Sequence, residues 1–357
     1  MLNTLIYRKL NHFASMRGDL ASSSAHLGLS PIETLRSEGE CVHLVSSMGA
    51  CKTILSDDAS FAPAPIAEAV RIIGERFGLE VREAYEFLRE NPMQLTDDAH
   101  QARRRQHLGH YATMLKNSTA TFRQIAGACF DVLAGNPPRS LVRDVVEPFV
   151  DGALGHIATQ NGIVPTRFLS VCQDNHVLLE HVHHPRKLER KSRQIAAFNS
   201  ADAPQDNILL SYALQGRDPM IGGITAFLHH LFQQPPADRA DVLDKMTAST
   251  LYRITSPVNY IGRIARCAVT VDGVEISPGD QILLLLPAAN GDPAATTDQR
   301  GVAFGAGGHT CAGQALALSI TDAFLGALRN RFADVDWSGL QTDLPIPAVF
   351  RQYEAQS

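Results

Sequence analysis

The stretch VAFGAGGHTCAG, from Val302 to Gly313, sets one cysteine among four glycines and a histidine, immediately ahead of the apolar run ALALSI. It limits the fold more than any other segment. A cysteine at the start of a helix faces backbone N–H groups and the positive end of the helix dipole, and both favour thiolate over thiol. A thiolate held there is a nucleophile or a metal ligand. Glycines ahead of it let the backbone pass close to something flat and bulky, because a Cβ at those positions would collide. His309, two residues before the thiol, can meet an anion beside that group.

Around the loop the pattern is mostly helical. PIAEAVRIIGERFG and EVREAYEFLREN carry apolar residues three and four apart, with Gly78 and Pro92 as stops, and the segment from His100 to Gly135 continues in the same style. From Asp206 to Phe232 the chain is long and apolar enough to run through the middle of the protein, which predicts a central helix at about residues 206–232 interrupted by GRDP. RIARCAVTVDGVEISPGDQILLLLPAAN differs: runs of Val, Ile and Leu separated by DG and PGD predict a strand, a hairpin and another strand. The expected fold class is mainly α with a minor β component.

The 357 residues, 45% of them hydrophobic, suffice for a sizeable core. With no internal repeat, low-complexity tract or Pro/Gly/Ser linker, a single domain over residues 1–357 is expected. Thirty-two Lys and Arg against 37 Asp and Glu give a formal net charge of -5 without a long single-sign block, so the electrostatic footprint of nucleic-acid binding is absent. The first residues break their apolar run with Arg8, Lys9, Asn11 and His12, and ILLLLPAA is too short to cross a bilayer. A soluble, cytoplasmic protein is expected, acting on small molecules. The six cysteines show no CxxC and no zinc-ligand spacing. All but Cys311 read as buried small hydrophobes.

Phe304, Gly307, His309, Cys311 and Gly313 match F-x-x-G-x-[R/H]-x-C-x-G, and on these residues the chain resembles the cytochrome P450 family, whose haem-thiolate loop has that pattern. DDAHQARRR resembles the family's H-x-x-x-R helix, with His100 and Arg104 in the propionate-contacting places. By themselves a His and an Arg four apart are only neighbours on one helix face. The segment from Ser256 to Pro293 resembles the family stretch from S-P-V through a propionate-binding arginine, here Arg263, to A-N-R-D-P, in which Gly291 stands where arginine is usual. The likeness covers roughly Cys41 to Arg329. It implies the cytochrome P450 fold, with haem b between the central helix and the Cys-loop helix. Cys311 would be the axial iron ligand, and His100, Arg104, Arg263 and His309 would hold propionates. Phe304 would pack beside the sulfur, and Gly307 and Gly313 would give the cofactor room.

Three departures bear on the reaction. The family's E-x-x-R reads TLYR here, with Thr250 for the glutamate and Arg253 retained. The stretch AATTDQRG is shorter than its counterpart, leaving Arg300 as a candidate for the arginine usually supplied there. In the central helix the family's acid survives as Asp218, while the alcohol that helps deliver protons to bound dioxygen has become Pro219. Fatty-acid peroxygenases of the same superfamily resemble the chain at that proline, next to an arginine that receives a substrate carboxylate. Arg217 stands one residue earlier than that arrangement wants. The basic segment with His181, His183 and His184 reads as a surface helix or loop rather than a metal site, and could serve a redox partner or an anionic substrate.

The resemblance thus implies a monooxygenase-like oxidoreductase of specialised metabolism, acting on a small organic molecule and fed by a ferredoxin-type partner, since no flavin or nicotinamide domain fits this length. Because of Pro219, a peroxygenase or a dehydratase or isomerase type of haem enzyme is the alternative. A non-catalytic helper of a partner enzyme is a further one.

Overall fold

The computed structural model describes residues 30–37, 40–172, 175–179, 184–199, 207–295, 301–341, 343–346 and 352–354. Strands β1 (Ile32–Ser37) and β2 (Glu40–Val45) pair antiparallel, Ile32 opposite Val45. Helix α1 (Met48–Ser56) is capped by Ser47, whose hydroxyl accepts from the N–H of Ala50. After β3 (Phe61–Pro63), α2 (Ile66–Phe77) stops at Gly78, whose φ of 63° is the left-handed conformation glycine supplies. Next come α3 (Arg82–Glu90) and the 39-residue α4 (Asp97–Gly135). The stripe His100, His107, Met114, Ser118, Phe122, Ala126, Phe130 and Leu133 gives α4 one buried face.

A π-helical turn, Leu141–Val146, leads into α5 (Glu147–Gln160), followed by α6 (Pro165–Ser170) and α7 (Pro185–Asn199). The central helix is α8 (Asn207–Ser211), a π-helical segment Tyr212–Gly216 and α9 (Arg217–Gln233). GRDP therefore does not interrupt it. Pro219 lacks an N–H to continue the ladder, and it falls in the first turn of α9, directly after a wider π turn that takes up the missing bond.

The remaining helices are α10 (Arg239–Lys245), α11 (Ala248–Thr255), α12 (Leu286–Asn290) and α13 (Gln314–Arg331). Strands β4 (Tyr260–Ala265), β5 (Val269–Val271), β6 (Val274–Ile276) and β7 (Gln281–Leu285) lie where strand, hairpin and strand are expected. Asp272 and Gly273 turn the hairpin with φ of 47° and 78°, the pair of positive values a two-residue turn of this kind requires. The last apolar residues of that run form α12 rather than more strand. Strands β8 (Leu344–Ile346) and β9 (Gln352–Glu354) close the chain. The main sheet has the order β1-β2-β7-β4-β3, with β2 parallel to β7 and the other pairs antiparallel.

Two cores meet around the candidate site. In the helical one, α13 packs along α4, and Phe324 contacts Phe130 and Phe149 with ring centroids 5.5 and 5.3 Å apart. Full burial of each such ring contributes about 1.5–3 kcal/mol. The second joins Val45, Ile54, Phe61, Ile282 and Leu284 of the sheet and α1 to Val302 at the head of the glycine loop. Cys51 and Cys172 are buried as expected, whereas Cys41 and Cys129 are half-buried and Cys267 is exposed beyond the end of β4. No helix among the described residues is long and apolar enough to cross a membrane. The N-terminal residues 1–29, Arg300, His181 and His183 lie outside the described residues.

Candidate active site

Loop 302–313 is folded around its own backbone. Gly305 N–H donates to Val302 O at 2.8 Å, and Cys311 N–H to Phe304 O at 2.8 Å. Gly305 and Gly307 have φ of 74° and 67°. A Cβ on Gly307 would sit 2.5 Å from Leu55 O and 2.6 Å from Ser56 Cα, so this glycine lets the loop press against the end of α1. That corrects its expected role: Gly307 is absent from the cavity wall, and its space is needed by protein backbone. A Cβ on Gly313 would meet only ordinary contacts, 3.9 Å from Cys311 Sγ.

Cys311 lies three residues ahead of α13 rather than in its first turn, and the surface it exposes is that of a cavity. Burial raises its thiol pKa, opposed by the backbone N–H groups of Gly313 and Gln314 and the charge of Arg104. The cavity, about 370 Å³, lies between the loop, α4, the central helix and strands β4 and β7. Phe304 lines it and packs edge-on to Tyr252, with centroids 5.0 Å apart. Tyr252 is buried and shares a 2.8 Å hydrogen bond with Thr321. Sequence reasoning missed Tyr252, although it lies in the TLYR segment already singled out.

Four cationic or ionisable groups gather at one edge. His100 and His309 stack with ring centroids 3.9 Å apart. Arg104 donates through Nη1 to Thr310 O. Arg263, 6% exposed, donates through Nη1 to Gly262 O at 3.0 Å, while its Nε has no partner among the described residues; His100 Nε2 is in the same condition. Burial pulls the Arg263 guanidinium down to about 10, with only Asp58 opposing. His309 is lowered to about 3 by burial, then by His100, Arg263 and Arg104, and Asp58 Oδ1 lies 3.8 Å from its Nε2. A buried guanidinium short of acceptors beside two stacked imidazoles, both of which burial disfavours in the charged form, is a place that gains from an anion.

The opposite wall departs from expectation. Pro219 and Met220 line the cavity, but Arg217 and Asp218 are absent from its wall. Arg217 donates through Nε to Asp151 Oδ1 at 2.7 Å and through Nη2 to Asp151 Oδ2 at 3.0 Å and Glu147 Oε1 at 3.3 Å. Its charge is spent on carboxylates of α5, so it is not the receptor for a substrate anion. Asp218 is 5% exposed, and its Oδ1 lies 3.8 Å from Arg217 Nη1. Polar groups that do reach the wall include Asn91, Ser211 and Gln215: Asn91 Nδ2 donates to Ser211 Oγ at 3.1 Å and Gln215 Oε1 at 3.3 Å.

Behind the loop, Thr250 does not serve Arg253. Its hydroxyl accepts from Thr247 Oγ1 at 2.9 Å, at the start of α11. Arg253 has no carboxylate partner among the described residues, and its stem packs against Gly301. The tie is neutral instead: Asn290 Oδ1 accepts from Val302 N–H at 2.8 Å, and Asn290 Nδ2 donates to Ser256 Oγ at 2.7 Å. Asp292 adds a bond from the N–H of Met48 at 2.9 Å. Asn290 thereby fixes the loop entrance to the ends of α11 and α12.

No protein-family model matches the chain. Cytochrome P450 140 of Mycobacterium tuberculosis is 36% identical over 104 residues, which cover 26% of this chain and 24% of that protein. The 20-oxo-5-O-mycaminosyltylactone 23-monooxygenase of Streptomyces fradiae is 31% identical over 177 residues, 44% of this chain and 41% of the relative. The chain thus matches about a quarter to two-fifths of the length of these curated relatives. The solved structure of P450BioI in complex with hexadec-9Z-enoic acid ligated acyl carrier protein superposes over 97% of this chain and 98% of that one, with a TM-score of 0.74 and 16% identity. At that identity the superposition shows the fold.

Proposed function

We propose that the chain is a cytochrome P450, a haem-thiolate monooxygenase oxidising a small organic molecule in specialised metabolism, a reading supported by its partial identity to curated P450 proteins and by the shared fold. The observation that carries this reading is the buried, under-partnered Arg263 sharing one cavity with Cys311. A propionate is the anion such a guanidinium lacks, and a haem would supply it.

The residues fit haem b. Cys311 would hold the iron, and Gly313 and Gln314 N–H groups would stabilise negative charge on its sulfur. Arg263, Arg104, His100 and His309 would take the propionates. When bound, a haem with a thiolate ligand supplies reductive activation of dioxygen and transfer of one oxygen atom to a substrate. Phe304 and Tyr252 keep water from the sulfur side. Met220, Leu154, Leu179 and Ile320 give an apolar wall that orients substrate by shape. Pro219 has no proton to give, so Ser211 Oγ and Gln215, polar groups on the same wall, would be the residues to hold a water for proton delivery. Electrons come from separate ferredoxin-type and reductase proteins.

A second reading, a haem enzyme that uses peroxide or rearranges a substrate bearing its own N–O or O–O bond, is favoured by the presence of Pro219 on the cavity wall. Its fatty-acid peroxygenase form loses support from the pairing of Arg217 with Asp151. Comparing product formation with dioxygen and reductant against hydrogen peroxide alone tests both: turnover that needs reductant supports the monooxygenase, and turnover with peroxide alone supports the second reading. A helper protein without haem is tested by haem content after purification.

A further inference from the structure

Behind the cavity wall, a thiol and a carboxylate converge on one imidazole nitrogen. Cys41 and His43 are two residues apart on β2 and so lie on the same face of the sheet, and Asp280 stands at the entrance to β7, the parallel neighbour of β2. Cys41 Sγ is 3.5 Å from His43 Nε2, and Asp280 Oδ2 is 2.9 Å from that same atom. The three donor atoms all lie within 4.8 Å of one another. His43 is fully buried, and its other nitrogen, Nδ1, is 3.0 Å from the hydroxyl of Thr34, its partner across the β1–β2 ladder.

A nucleophilic triad is a poor description of this geometry. A relay needs the thiol on one imidazole nitrogen and the carboxylate on the other. Here thiol and carboxylate share Nε2, while Nδ1 is held by a hydroxyl. Convergence of a thiol, an imidazole nitrogen and a carboxylate on one point, with the remote ring nitrogen fixed by a polar neighbour, is instead the layout of a metal site and its supporting shell. The spacing agrees. Zinc bonds of about 2.3 Å to sulfur and about 2.0 Å to nitrogen at a tetrahedral angle put S and N roughly 3.5 Å apart. The carboxylate would move out by a few tenths of an ångström and the thiol swing toward it.

We propose that Cys41, His43 and Asp280 form a binding site for a zinc-class divalent cation, with water as the fourth ligand. Binding releases the thiol proton of Cys41 to solvent and shifts the proton of the neutral imidazole from Nε2, where Asp280 accepts it, to Nδ1, where Thr34 Oγ1 accepts it. The cation offsets the repulsion between thiolate and carboxylate once the thiol proton has left; Arg36, paired opposite Cys41, supplies the adjacent positive charge on the strand edge. Because Asp280 precedes Gln281, Ile282 and Leu283 on the cavity wall, the site would pin the sheet edge that backs the candidate active site.

The test uses the purified haem-loaded protein, stripped with a chelator, equilibrated with Zn²⁺, desalted, and measured for zinc and iron by mass spectrometry, alongside thermal unfolding with and without zinc. The expected result is one zinc per chain and a higher Tm in zinc for the native protein. Cys41→Ser and Asp280→Asn should each bind at least tenfold more weakly, lose the zinc-dependent rise in Tm and keep the native haem spectrum. Zinc retention equal to that of the Cys41→Ser and Asp280→Asn variants, or no retention at all, overturns the proposal. Iron content is counted separately, so failure of the haem reading would appear in a different measurement.

Discussion

Gly307 and Arg217 separate what a residue looks like in sequence from what it does in space. The pattern around Cys311 was legible because one loop of ten residues carries it. The reason for Gly307 was not, since Leu55, which needs the space, lies far away in sequence. Gly307→Ala would force a left-handed backbone costing about 1–2 kcal/mol and add a contact with main chain that cannot yield. Urea unfolding of the haem-loaded variant should show at least that loss. Arg217 read as a cavity residue because it neighbours Pro219, but helix periodicity turns it toward α5. Arg217→Met should lower stability by about 1.5–3 kcal/mol, as charged hydrogen bonds to Asp151 are lost, while substrate-induced haem spectral shifts keep their midpoint. A weakened midpoint at unchanged Tm would restore it as an anion receptor. For Arg263, replacing guanidinium by leucine removes one charge-assisted contact of about 1.5–3 kcal/mol. Haem should then leave Arg263→Leu roughly ten to a hundred times faster in a transfer assay to apomyoglobin; an unchanged rate would refute the propionate assignment.

Among the elements, the central helix is where periodicity alone misled. A proline within an apolar helical run predicts a break, and the π turn Tyr212–Gly216, which makes the break unnecessary, leaves no mark in composition. Because Pro219 sits in the first turn of α9, replacing it should not recover the roughly 3 kcal/mol that an interior proline costs. Pro219→Ala is expected within about 1 kcal/mol of the native protein by chemical denaturation. Pro219→Thr should raise the share of reductant-driven turnover that ends in product, the expected effect of returning a hydroxyl to the cavity wall. The strands before Phe61 were missed for another reason: β1 and β2 carry His43, Cys41 and Thr34 on one face, so the alternation that marks a half-buried strand is blurred by buried polar groups.

At the scale of the whole molecule, helix content, the β5–β6 hairpin and the place of the Cys loop could be read directly, because each follows from local periodicity or turn chemistry. The sheet order β1-β2-β7-β4-β3 could not, since it joins segments more than two hundred residues apart. The cavity lies where that sheet meets the helical core, and its edge holds Arg263 and His100 with buried nitrogens that lack partners among the described residues. A bound group that satisfies them stabilises the folded chain by mass action. Haem-free protein should therefore unfold at a lower temperature than the loaded form and regain the difference on reconstitution. The central claim, that Cys311 presents a thiolate to haem iron, is tested most directly by the carbon monoxide difference spectrum of the reduced protein. The native chain should give the red-shifted Soret band of a thiolate-ligated haem, and Cys311→Ser should lose that band; a native protein that binds no haem, or a band unchanged in Cys311→Ser, would contradict the account.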